Sequence, residues 1–199
     1  MKSILVRSGS LLAVMLAALL CGCQDPEVQR QNAEVSAALA LRKAAEQGDA
    51  VAQNNLGLAY VNGQNVPQNY AEAVKWFRKA AEQGNTEAEI NLGLAYVNGQ
   101  GIPQNYIEGT KWLRMAAERG NANAQCNLGN AYFYGDRGVS KDRVEAYKWY
   151  ILAASSGHEE SIRYRNDLAH DLPPEQVAEG QKRATEFVPK KAPAQANNR

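Results

Sequence analysis

The ten residues NLGLAYVNGQ at 55–64 recur unchanged at 91–100, one period of 36 residues later. A looser copy, NLGNAYFYGD, begins at Asn127, after a further 36 residues. Segments 48–83 and 84–119 agree at 23 of 36 aligned positions, so the likeness extends over the whole period. A unit of this length holds one helical hairpin, which cannot bury its own apolar face and becomes stable only when copies stack. The sequence therefore predicts an all-α fold, a short right-handed solenoid of stacked helical hairpins. Such a chain is better suited to holding a partner than to transforming a substrate.

The spacing inside each copy is helical. Ala52, Leu56, Ala59, Tyr60 and Gly63 form one apolar stripe, and the run Gly63-Gln64-Asn65-Val66-Pro67 breaks it. A second helix places Ala73, Trp76, Phe77, Ala80 and Ala81 on one face and stops at Gly84. Gly57, Gly93 and Gly129 sit inside the first helix of each unit, where glycine costs about 1 kcal/mol relative to alanine. Accepting that cost three times at one register predicts close helix approach. Trp76, Trp112 and Trp149, with Tyr60, Tyr96 and Tyr132, recur once per unit and are expected in the core between helices.

The pattern Ala52, Leu56-Gly57, Tyr60, Gly63, Val66, Asn69, Glu72-Ala73, Trp76 and Ala80-Ala81-Glu82-Gln83-Gly84 resembles the Sel1-like repeat, a relative of the tetratricopeptide repeat. The resemblance covers about 44–157. Three repeats are expected at 49–84, 85–120 and 121–157, the third with one extra loop residue near Gly135-Asp136-Arg137-Gly138. Residues 26–48 read as an N-terminal capping half-repeat, in which Ala40 replaces the tryptophan and Asp25-Pro26 supplies an N-cap and first turn. Capping helices are expected over 158–187, and a disordered tail over 188–199. Gly109 replaces the alanine of the other units (Ala73, Ala146) and is expected to loosen its helix.

The amino terminus reads as an export signal over 1–22. Lys2 and Arg7 precede an apolar run from Leu11 to Leu20, too short to span a bilayer comfortably. Leu20-Cys21-Gly22-Cys23 resembles the lipobox of bacterial lipoproteins, with Cys23 as the lipid attachment site, 23–25 as a minimal linker and Cys21 departing from the usual residue. More than one acyl chain would give stable anchoring, at about 0.8 kcal/mol per buried CH₂. Gln24 resembles the outer-membrane sorting pattern. The expected location is the cell envelope, as an outer-membrane lipoprotein facing the periplasm or the surface. A soluble periplasmic or secreted protein is the alternative. The net charge is +1, and −1 once the two basic residues of the signal are gone, so no nucleic-acid partner is expected. With Cys21 removed and Cys23 capped, only Cys126 remains and no intrachain disulfide can form.

Catalytic motifs are sparse. His158 and His170 lie twelve apart with no metal-ligand spacing and read as solvated cap residues, while Cys126 reads as a small packing residue. Glu72, Glu108 and Glu145 recur at one register, which suggests inter-helix pairing or capping. No catalytic residue, metal site or cofactor is assigned, and no enzyme is expected. An envelope hydrolase acting on β-lactams or peptidoglycan would need a nucleophile that no motif supplies. By resemblance to tetratricopeptide arrays, the first helices line a concave face. Leu58, Leu94 and Asn130, then Val61, Val97 and Phe133, with Tyr134 beyond, are expected to point outward there. They either form an exposed interaction strip or are buried by the curvature of the stack. Asn55, Asn91 and Asn127 form an asparagine ladder that either clamps an extended peptide or bonds the neighbouring helix. The resemblance implies an adaptor or scaffold, acting as a monomer and binding a periplasmic, outer-membrane or host protein; an effector secreted to bind a host protein is the alternative.

Overall fold

A computed structural model describes residues 26–135 and 138–190. The segment expected to be an export signal, Cys23, Asp25 and the chain beyond 190 lie outside the described residues. The helices run in order α1 (Pro26–Glu46), α2 (Ala50–Asn62), α3 (Tyr70–Glu82), α4 (Thr86–Asn98), α5 (Tyr106–Glu118), α6 (Ala122–Tyr134), α7 (Arg143–Ser155), α8 (Glu159–Asp171) and α9 (Pro174–Thr185). The three repeats are the hairpins α2–α3, α4–α5 and α6–α7. Among the described residues no helix is long and apolar enough to cross a membrane.

Each hairpin is built from the same local chemistry. Asp49, Asn85 and Asn121 cap the first helices by accepting from the backbone N–H three residues on, in Ala52, Ala88 and Ala124. Asn69, Asn105 and Asp142 do the same for the second helices. An N-cap of this kind contributes about 1 kcal/mol. The backbone N–H of each second-helix cap also donates to a tyrosine carbonyl of the first helix: Asn69 to Tyr60, Asn105 to Tyr96 and Asp142 to Tyr132, each at 2.9 Å. The loop is thus tied at both ends. Glu72, Glu108 and Glu145 take the third helical position, where their own N–H groups donate to the cap and their carboxylates pair with Lys75, Lys111 and Lys148. Among the described residues, only Glu145 of the three reaches another helix, through Arg183 of α9.

The glycines set the interhelical distance. A Cβ on Gly57 would lie 2.5 Å from the Phe77 ring, one on Gly93 2.9 Å from Leu113, and one on Gly129 2.6 Å from the Tyr150 ring. The core is a chain of clusters that joins successive repeats. Ala73, Phe77, Ala80 and Ala81 of α3 meet Ala88, Leu92 and Ala95 of α4; Leu113, Ala116 and Ala117 of α5 meet Ala124 and Leu128 of α6 and Trp149 of α7. The paired alanines let second helices pass close to the next first helix. Arg78 and Arg114 then donate to the phenol oxygens of Tyr96 and Tyr132 in the following repeat, at 2.9 and 2.8 Å.

At Gly109 the structure adds a second role beside the expected loosening. The residue lets α5 approach α4. A Cβ there would lie 2.7 Å from the Gly93 carbonyl oxygen and 2.8 Å from the Val97 side chain. Alanine normally stabilises a helix relative to glycine by about 1 kcal/mol. Gly109→Ala is nevertheless expected to destabilise by about 1–2 kcal/mol, because backbone cannot yield as a side-chain tip does. A urea midpoint above that of the parent would contradict the close approach.

The two ends differ. α1 is longer than the second helices it resembles, and only its last turns pack: Ala45 is buried, while Val28, Val35 and Leu39 are exposed. At the other end, α8 and α9 cover α7 through Leu168, Leu172 and Val177. Residues 188–190, placed by sequence in the tail, run back along α5, where the Lys190 backbone N–H donates to the Glu118 carbonyl at 2.8 Å. Phe187 lies edge-on against Trp149 there, with ring centroids 5.5 Å apart.

Candidate functional site, a groove along the first helices

Among the described residues, three clefts lie along the first helices. The N-terminal one encloses about 590 Å³ between α1 and α2 and is lined by Val35, Leu39, Leu41 and Arg42 on one side and Asn55, Leu58 and Asn62 on the other. Leu58 also forms the wall of the next cleft, of about 150 Å³, with Val61, Asn91, Leu94, Asn98 and Tyr70. The C-terminal cleft, of about 200 Å³, lies between α6, α7 and α8 and is lined by Asn130, Phe133, Tyr134, Tyr150, Tyr164, Asp167 and Asp171. Eight of the ten residues expected on this face therefore line a cleft: Asn55, Leu58, Val61, Asn91, Leu94, Asn130, Phe133 and Tyr134.

The other two differ. Val97 is buried, at 6% exposure, against Ile90 and Leu113 in the second core cluster. It sinks inward because Gly109 opposite has no side chain, whereas its counterpart Val61 faces Ala73 and stays half-exposed. Asn127 is half-buried. The asparagines do not act alike along the stack. Asn91 donates to Asn54 Oδ1 of the preceding repeat at 2.9 Å, a side-chain partner rather than a helix backbone. Asn54 is replaced by Ile90 in the second repeat, so the same bond cannot be made to Asn127. Asn55 is exposed.

The groove changes character along its length. Aliphatic Leu58, Val61 and Leu94 face the first two clefts, and aromatic rings face the third. Phe133 and Tyr134 meet edge to face with centroids 5.0 Å apart, and Tyr150 and Tyr164 pack at 5.3 Å. Burial holds the Tyr150 phenol well above its ordinary pKa, helped by neighbouring Cys126, Tyr134 and Tyr164. It stays protonated and donates to Asn130 Oδ1 at 2.7 Å, fixing that amide at the cleft wall. Arg143 already stacks over Phe133 at 5.8 Å and pairs with Asp171 at 3.2 Å. Phe133 and Asp171 are thus already engaged by the chain's own guanidinium, and Asp167 is the other carboxylate at the cleft wall. Asp167, Asp171 and Tyr164 belong to the capping helix α8, which follows the recognisable repeats, so the repeat pattern carried no signal for them. Val35 and Leu39 were legible as an i, i+4 apolar pair on α1.

A solenoid of helical hairpins with a groove lined by its first helices is the architecture of an interaction repeat protein. The Sel1 repeat model matches residues 41–49, 50–85, 86–121 and 122–158, more than half of the chain. The chain belongs to the Sel1 repeat family, whose members are generally protein-interaction scaffolds rather than enzymes. Among solved structures, a protective antigen present in uropathogenic Escherichia coli, displaying an SLR fold, is 36% identical with a TM-score of 0.69, over 76% of this chain and 32% of that one. A Sel1 repeat protein from Oxalobacter formigenes is 39% identical with a TM-score of 0.62, over 74% of this chain and 63% of that one. The chain thus spans about a third of the first and under two thirds of the second. A search of curated proteins found no match.

Proposed function

We propose that this chain is an adaptor of the bacterial cell envelope, carried at the membrane by lipid on Cys23, that holds a polypeptide partner along the groove of its first helices. The observation that carries this reading is the run of clefts itself, whose walls take side chains from matching repeat positions, Leu58 with Leu94 and Asn55 with Asn91. Leu58 and Leu94 offer apolar seats, Asn55 and Asn98 offer amides that both donate and accept, and the last cleft offers rings and carboxylates. A partner segment with an apolar residue toward α1 and a basic residue toward α8 fits that order. Only Gln24 and Asp25 separate Cys23 from α1, so a lipid on Cys23 would leave α1 rising directly from the membrane surface.

The test uses full-length protein crosslinked in native envelopes, beside Leu58→Glu and Tyr134→Glu. Both side chains are exposed, so neither change removes a core contact. A partner captured by the parent, and reduced at least about tenfold in either variant at unchanged Tm, is the expected result. Equal capture by all three would remove the groove from the proposal. Cys23→Ala is expected to move the protein from the membrane to the soluble fraction, and retention in the membrane would exclude the lipid anchor.

A further inference from the structure

The repeats serve as an internal reference, and three departures from them meet at one place. The N-cap position occupied by Asp49, Asn85 and Asn121 becomes His158. The third helical position, Ala52, Ala88 and Ala124 in the repeats, becomes Ser161. The position of Asn54 and Ile90 becomes Cys126. His158 caps α8 by accepting from the Ser161 backbone N–H at 3.3 Å, a task the repeats give to Asp or Asn, and Ser161 and Cys126 are buried. In space the three residues lie together: Ser161 Oγ lies 3.0 Å from His158 Nδ1, and it is near enough to Cys126 to act on the thiol. Ligand atoms of Cys126, His158 and Glu160 all lie within 4.8 Å of one another.

We propose that Cys126, His158 and Glu160 bind a thiophilic divalent cation of the zinc type, with Ser161 orienting the ligands. A thiolate, an imidazole and a carboxylate form a donor set that zinc accepts in tetrahedral geometry. At zinc bond lengths of about 2.0–2.3 Å the donor atoms would sit roughly 3.3–3.8 Å apart, so the cluster contracts by about 1 Å. The site lies at the N-terminus of α8, whose dipole opposes a cation, and two anionic ligands with Glu159 beside them offset that field. The thiol proton leaves to solvent as the S–metal bond forms. Ser161 Oγ, 3.0 Å from His158 Nδ1, holds the imidazole beside the thiolate. Glu160 is exposed and His158 half-buried, so water reaches the fourth position. The bound ion would join α6 to α8 beside the aromatic cleft. This inference stands independently of the groove reading.

The repeats also provide variants that should fold. Cys126→Asn and His158→Asn install residues that neighbouring repeats already use at those positions. Full-length protein in detergent is titrated with Co²⁺, which reports thiolate ligation by a near-ultraviolet charge-transfer band. The expected result is one equivalent bound, with that band and tetrahedral visible bands, all displaced by Zn²⁺. Cys126→Asn should abolish the charge-transfer band, and His158→Asn should weaken binding by at least about tenfold at unchanged helical content. Absence of the band in folded parent protein overturns the proposal. So does a band that survives Cys126→Asn, or affinity unaffected by His158→Asn.

Discussion

Arg119→Ala is expected to destabilise the protein by about 3–5 kcal/mol, the cost of leaving one member of a buried ion pair alone. Its partner, Glu89, is fully buried in α4, and Arg119 at the end of α5 is the group that neutralises it. The first repeat uses neutral residues at the same two places: Gln53 accepts from Gln83 at 2.7 Å and donates to the Ala45 carbonyl at 3.1 Å. Glutamate has no proton to give the matching carbonyl, and Glu89 Oε2 has no hydrogen-bond partner. The second repeat thus replaces an amide pair with a charged pair, which gains little net stability and makes the site fragile to one-sided change. Glu89→Gln with Arg119→Gln should rebuild the amide pair and lie within about 1 kcal/mol of the parent. Urea unfolding of the three proteins at neutral pH measures all of this.

The same pair predicts a pH dependence. Burial raises the Glu89 carboxyl, and Arg119 pulls it back only in part. The folded state therefore binds this proton more tightly than the unfolded state. Stability from this group is greatest below the ordinary carboxylate range and declines as pH rises from 4.5 to the raised folded value. Glu89→Gln should lack that decline, whatever its stability at neutral pH, because the titrating carboxyl is gone. An identical slope in both proteins would show that the carboxylate is not desolvated.

Gly101→Ala is expected to cost about 2–5 kcal/mol, a sum of roughly 1–2 for a left-handed backbone and about 1–3 for overpacking. Gly101 lies in the loop between α4 and α5 at φ +73°, and a Cβ there would fall 2.3 Å from the carbonyl of Tyr70, at the start of α3. Neither neighbour is a side chain that can turn away. Gly138 stands over Ile107 of the preceding repeat in the same way, at φ +80°. In the first repeat the corresponding residue is Asn65, at φ 58°, and it is exposed at the rim of the N-terminal cleft. Each loop therefore stacks on the second helix of the unit before it, except where no full unit precedes. Asn65→Gly should change stability by less than about 1 kcal/mol. Comparable losses in the two variants would mean that the loops do not carry the stacking contact.

How much of the groove was legible depended on periodicity. Leu58 with Leu94, Asn55 with Asn91 and Val61 with Val97 hold three repeat registers off the buried stripe, and periodicity placed all six on one face. Val97 alone is buried, because its position depends on Gly109 in a different helix. Asp167 and Asp171 repeat nothing, and Cys126 and His158 are separated by 32 residues, so no local motif marks either group.

The sequence by itself determined the hairpin, its period and its caps, because these arise from backbone preferences and apolar spacing within one unit. It also marked the close approach at Gly57, Gly93 and Gly129, since a helical glycine kept in every copy implies a neighbour. Tertiary structure alone decided which units carry an ion pair, a sunken valine, an aromatic cleft or a Cys–His–Glu cluster. Each of those results from contact between residues of different helices, where a change in one unit is answered in the next. A repeat read singly cannot show which neighbour will meet it.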